Sequence, residues 1–175
     1  MKIAFSTVGC PEWSWNEIYS MAKDLGFDGI EIRGLGDEIS ATKTAPFSTN
    51  ELNKTMSALG QLGLEIVCFS SSCCLRGDTE NSKVLAEGFE YIELASKAKT
   101  KYVRILGDKE PSFTGEVDDE AVISSLKILS SFAEYKNVTL LIETNGVYAN
   151  SARLNKVIED VSSPYVQVLW DIHHT

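Results

Sequence analysis

Apolar and polar positions alternate in blocks along this chain. Six short runs dense in Ile, Val, Leu, Phe and Tyr recur: Lys2 to Thr7, Gly29 to Arg33, Glu65 to Ser70, Tyr102 to Leu106, Thr139 to Glu143, and Val166 to Asp171. Several are almost continuously apolar, the pattern of strands buried on both faces. Between them the apolar residues switch to helical spacing. Ile18, Met21, Ala22 and Leu25 form one stripe, and Leu52, Met56 and Leu59 a second. Leu85, Phe89, Ile92 and Ala95 form a third, and Val122, Leu126, Leu129 and Phe132 a fourth. Leu154, Val157, Ile158 and Val161 form the fifth. Each stripe predicts a helix with one core-facing side. Ser14 with Glu17, and Ser48 with Glu51, have the spacing of a capping box. Gly26 and Gly63 stand where a left-handed C-cap belongs.

Strict strand–helix alternation predicts an α/β fold, a mostly parallel sheet with right-handed crossovers. No linker or low-complexity tract interrupts it, so residues 1–175 are expected to form one domain. The first turn, Thr7-Val8-Gly9-Cys10-Pro11, is not a glycine-rich nucleotide loop, and Gly34-Leu35-Gly36 lacks a third glycine at the right offset. Each predicted strand instead ends in polar groups: Ser6 and Thr7, Glu31 and Arg33, Ser70 to Ser72, Arg104, Glu143 and Asn145, and Asp171 to His174. A (β/α)8 TIM barrel gathers such ends around one mouth. A whole barrel takes about 250 residues. The expectation is therefore a partial barrel of about six βα units. Its first and sixth strands would be open edges, and open edges invite pairing between copies.

Composition narrows the chemistry. Hydrophobic residues are 43% and charged residues 23%, enough apolar content for a core. The net charge of −9 repels phosphate backbones over most of the surface, so no nucleic acid partner is expected. No stretch approaches the ~20 apolar residues of a membrane span. The N-terminal run reads as a strand rather than a signal peptide, and a cytoplasmic location is the expectation. Cys10, Cys68, Cys73 and Cys74 contain no CxxC pair and read as reduced thiols.

Two segments carry the candidate chemistry. In Leu140-Leu141-Ile142-Glu143-Thr144-Asn145 a carboxylate ends an apolar strand; in Val168-Leu169-Trp170-Asp171-Ile172-His173-His174 an aspartate ends the next strand, followed by the chain's only two histidines. Each can be read as a rim group in water. Together, on neighbouring parallel strands, two carboxylates repel unless a cation lies between them or one takes up a proton. With His174 they suit Mn, Mg, Co or Zn without choosing among them. Arg104 offers itself to an anionic group or to a salt bridge in the mouth. Trp13, Trp15 and Phe69 are either walls of a pocket or core.

Gly29-Ile30-Glu31-Ile32, Ile142-Glu143-Thr144-Asn145 and Trp170-Asp171-Ile172-His173-His174 resemble the xylose isomerase-like barrel superfamily. That group holds sugar phosphate isomerases and epimerases, dehydratases and, more distantly, endonuclease IV. The resemblance implies metal ligands at Glu143 and Asp171, catalytic roles for Glu143 and His174, and substrate contacts from His174, Arg104, Glu31 and Asn145. It also implies two further ligands, a histidine and a glutamate, from a seventh and an eighth strand that these 175 residues do not include. Endonuclease IV's additional histidines after the third and fourth strands have no counterpart at Ser70-Ser71-Ser72 or Arg104-Ile105-Leu106-Gly107. The implied activity is a metal-dependent isomerase or epimerase of a sugar, sugar phosphate or related hydroxy-carbonyl compound, working through a metal-stabilised enediolate. The alternatives are a dehydratase-type lyase on the same scaffold, or a catalytically silent 175-residue form.

Overall fold

The computed structural model describes residues 1–76, 81–108 and 116–174. Six parallel strands are β1 (Ala4–Ser6), β2 (Gly29–Ile32), β3 (Glu65–Cys74), β4 (Tyr102–Leu106), β5 (Thr139–Glu143) and β6 (Val166–Leu169). Five helices link them: α1 (Trp15–Asp24), α2 (Leu52–Leu62), α3 (Asn81–Ala98), α4 (Asp119–Lys136) and α5 (Ser151–Val161). The strand order is β1-β2-β3-β4-β5-β6, every pair parallel. A doubly wound sheet reverses its strand order partway. This order never reverses, and the fold is a partial (β/α) barrel.

The predicted stripes explain the helix packing. Val122, Leu126 and Leu129 of α4 and Ile92 and Ala95 of α3 are fully buried, as are Ile30, Ile32, Val103, Ile105, Leu140 and Ile142 on the strands they cover. Burying each of these Val, Leu and Ile side chains contributes about 1.5–3 kcal/mol before entropy is counted. The α1 stripe is narrower than predicted. Ile18 and Ala22 are buried, but Met21 and Leu25 are exposed. α1 packs on β2 without a substantial interface to α2, so its flank stays in water.

Helix ends follow local chemistry. Ser14 caps α1 in a full capping box with Glu17. The predicted box at Ser48 does not form. Two short 3-10 turns, Ala41–Lys43 and Ala45–Phe47, lead into a helix that starts only at Leu52, and the Glu51 carboxylate pairs with Lys54 instead. Gly26 and Gly63 adopt the left-handed conformation as expected, with φ of 74° and 73°. Lys99, Asn137 and Ser162 take the same role after the other helices.

Four strands differ from their predicted lengths, β2 by stopping one residue early at Ile32. β1 and β6 are shorter, because edge strands have a partner on one side only. β3 runs on to Cys74, held against β4 beyond a register irregularity between Ser70 and Cys74. Phe69 is fully buried and meets Phe47 edge-on at 5.3 Å, with Trp15 on the far side of Phe47 at 5.4 Å. Phe69 and Trp15 are therefore core residues, not walls of a mouth. All four cysteines are free, as expected. Burial pushes the Cys68 thiol up to about 12 and raises Cys73 and Cys10 as well, which leaves them poor nucleophiles.

Candidate metal centre

Strand pairing determines what faces the mouth. Glu143 is level with Leu169, so the two-residue alternation of a strand carries Asp171 to the same face, one step further along. Likewise Ser70 is level with Arg104, and Glu31 with Cys68. The mouth thus collects Glu31, Ser70, Arg104, Glu143 and Asp171 from five successive strand ends.

Glu143, Asp171 and His174 converge. One donor atom from each lies within 4.8 Å of the others, and all three residues are partly buried. His174 Nε2 stands 3.6 Å from Asp171 Oδ2. The segment after β6 is shaped by Asp171 itself: its Oδ1 accepts the His173 amide at 2.8 Å and its carbonyl accepts the His174 amide at 3.3 Å. That tight turn brings the imidazole three residues on back toward the carboxylate. The two neighbouring strand ends are tied by Thr144, whose hydroxyl accepts the Asp171 amide at 2.8 Å. His173 packs edge-on against His174 at 5.1 Å.

Electrostatics favour a cation here. Burial raises the Glu143 carboxyl above its ordinary value; Arg104 opposes this, while Asp171 and Glu31 add to it. Arg104 Nε is 2.9 Å from Glu143 Oε2, with both side chains nearly buried. The contact is an ion pair without hydrogen-bond alignment, because that same Nε–H has no acceptor among the described residues. A second donor of Arg104, Nη1, holds the Ser71 carbonyl at 2.9 Å. A pair of hard carboxylates and a borderline imidazole suits a divalent ion, and the donor spacing needs only small side-chain adjustment to meet metal–ligand lengths of about 2.0–2.2 Å.

The other expected site residues are placed as follows. Glu31 accepts a short hydrogen bond from the Ser70 hydroxyl in the mouth. Asn145 is turned inward, 6% exposed, and its amide nitrogen donates to the Asp108 carbonyl at 3.2 Å. The structure gives it a bracing role for the loop after β5, and its Oδ1 has no partner among the described residues. Sequence reading missed that brace. Asp108 also accepts the Val147 amide, while Tyr148 donates to Asp119, which Arg153 grips with two donors. The one hint in the sequence was polar density after β4 and β5.

Comparison with known structures agrees with this architecture. A probable 3-DHS dehydratase from Bacillus anthracis superposes with a TM-score of 0.82 at 18% identity, over 99% of this chain and 64% of the other. D-psicose 3-epimerase from Clostridium cellulolyticum H10 superposes with 0.79 at 17% identity, over 99% and 64%. A magnesium complex of a xylose isomerase-like TIM barrel protein from Mycobacterium smegmatis superposes with 0.73 at 19% identity, over 95% and 63%. The chain thus spans a little under two thirds of these structures' length. Among curated protein sequences none matches significantly. Residues 20–175 match the sequence model of one family along with the strand order above, and the chain belongs to it: the xylose isomerase-like TIM barrel family.

Proposed function

We propose that the protein is a divalent-metal-dependent isomerase or epimerase acting on a sugar, sugar phosphate or related hydroxy-carbonyl compound. The observation that carries this reading is the convergence of Glu143, Asp171 and His174 within 4.8 Å at adjacent strand ends. Glu143 and Asp171 would hold the ion, and His174 would hold the ion or a substrate oxygen beside it. A bound divalent ion supplies Lewis acidity toward neighbouring carbonyl and hydroxyl oxygens. Glu143, with its raised pKa, is suited to accept the proton adjacent to a carbonyl. Arg104 pairs with that carboxylate and opposes the rise in its pKa. The low exposure of Glu143 and Arg104 strengthens these contacts relative to open water.

A dehydratase shares the first proton abstraction, and the dehydratase among the structural relatives supports keeping that reaction beside the first. Titration with Mn2+, followed by assays on ketoses and on β-hydroxy carbonyl acids, tests both. Mn2+ should bind, and Glu143→Gln and Asp171→Asn should each weaken it more than tenfold. Loss of the reading follows if Mn2+ does not bind, or binds equally to both variants. Binding without turnover of either substrate class would identify the 175-residue form as catalytically silent.

A further inference from the structure

We propose that Arg33 and Arg104 together form an anion subsite in this mouth, so that the substrate carries a carboxylate or phosphate group beside its hydroxy-carbonyl. The inference rests on the metal-enzyme reading for the word substrate, and on the arginines alone for the anion.

Arg33 follows β2 directly, and its side chain reaches across to β3. Its Nη2 donates to the Ser72 hydroxyl at 2.9 Å. Arg104 donates to the carbonyl of the adjoining residue, Ser71, also at 2.9 Å. Both guanidinium groups are therefore held by consecutive residues of β3, one by a side-chain hydroxyl and the other by a backbone carbonyl. Two cations brought that close repel, and burial together with Arg104 lowers the pKa of the Arg33 guanidinium from its ordinary value.

The surroundings do not neutralise Arg33. Among the described residues no carboxylate lies within 4.0 Å of it; its partners are the neutral Ser72 hydroxyl and the Ile39 carbonyl. Two carboxylates act on it at longer range without pairing with it. Glu31 accepts from the Ser70 hydroxyl, and Glu87 accepts from the Ser72 amide at 2.7 Å. Arg104 is balanced by Glu143 but retains a buried Nε–H without an acceptor. A partly buried cation beside a second one, both with donors to spare, is costly in the free protein and is relieved by an anion. The guanidinium forks match a planar carboxylate or a phosphate oxygen pair. The contact between Arg104 and Glu143 places this subsite next to the proposed ion, close enough for one small molecule to meet both.

The test uses the metal-free 175-residue chain and calorimetric titration with glycerol 3-phosphate, glycerate and glycerol in dilute, phosphate-free buffer. At least one of the two anions should bind and glycerol should not; which anion binds tells phosphate from carboxylate. Arg33→Gln should weaken that binding at least tenfold, and Arg33→Lys by less. The proposal is overturned if neither anion binds, or if Arg33→Gln binds as the wild type does. Should Arg33→Gln fail to fold by circular dichroism, Arg33→Lys decides: a loss of several-fold supports the subsite and an unchanged affinity sinks it. A parallel Mn2+ titration separates the two readings. Anion binding through Arg33 without Mn2+ binding would remove the metal enzyme and leave the subsite standing.

Discussion

Gly107 follows β4 directly, and replacing it with alanine tests how the mouth is braced. A methyl group there would enter the ring of Tyr148 at Cε2 and Cδ2, and would sit 3.2 Å from Ile142 Cδ1. The backbone is not in the left-handed region, so the cost is steric. Tyr148 is fully buried, and its hydroxyl donates to Asp119 at 2.7 Å. Overpacking of this kind costs about 1–3 kcal/mol. If the ring retreats, it gives up a hydrogen bond to a charged acceptor, worth about 1.5–3 kcal/mol. We expect a loss of about 3 kcal/mol in urea unfolding with an unchanged m-value. In a Tyr148→Leu background the same substitution should cost under about 1 kcal/mol, since the colliding ring edge is gone. The displacement should also reach the metal centre, because the next residue, Asp108, anchors Val147 and Asn145 of the loop that follows Glu143. Mn2+ affinity should fall with stability. A cost under about 1 kcal/mol, or an equal cost in both backgrounds, would refute the reasoning.

Other outcomes follow from single contacts. Thr144→Val removes the acceptor of the Asp171 amide and should weaken Mn2+ binding about tenfold in calorimetric titration, since it frees a ligand's backbone. Ser14→Ala should cost about 1 kcal/mol in thermal unfolding, whereas Ser48→Ala should stay within about 0.5 kcal/mol because its side chain caps nothing. Asp119→Asn should show a pH-dependent loss. Burial alone would raise the Asp119 carboxyl, but hydrogen bonds from Arg153 and Tyr148 hold it below the usual carboxylate range. A depressed folded-state pKa stabilises above the unfolded value and ceases to do so as pH falls through the folded one. With both partners about one third exposed, the effect is about 1 kcal/mol at pH 7 and should fade as pH drops below the ordinary carboxylate range and through the depressed folded-state pKa, as read from urea midpoints.

The fold was legible because strands buried on two faces are apolar throughout, while helices keep a stripe, and six runs of the first kind alternate with five of the second. Glu143, Asp171 and His174 were legible for a related reason: polar groups ending apolar strands stand out, and strand order alone makes two of them neighbours. The failures have one physical source. Ser48 and Glu51 have the right spacing, yet whether a helix starts there depends on the 3-10 turns before it. The brace between Asn145 and Asp108 joins residues thirty-seven positions apart, and nothing local in the sequence announces it. Arg33 was one polar strand end among many. Its significance emerges only when Ser71 and Ser72 set it beside Arg104. Contacts between residues distant in sequence leave no mark on local periodicity.

The consecutive strand order has a kinetic consequence. Each strand docks only on the segments just before and just after it, so the sheet can assemble like a zip, one βα unit seating on its predecessor. Amide exchange should then run as a gradient: slowest in the strands flanked on both sides, β2 to β5, and fastest at β1 and β6. The centre carrying Glu143 and Asp171 straddles the slow and the fast end of that gradient, so an ion gripping both would slow exchange in β6 more than anywhere else in the molecule.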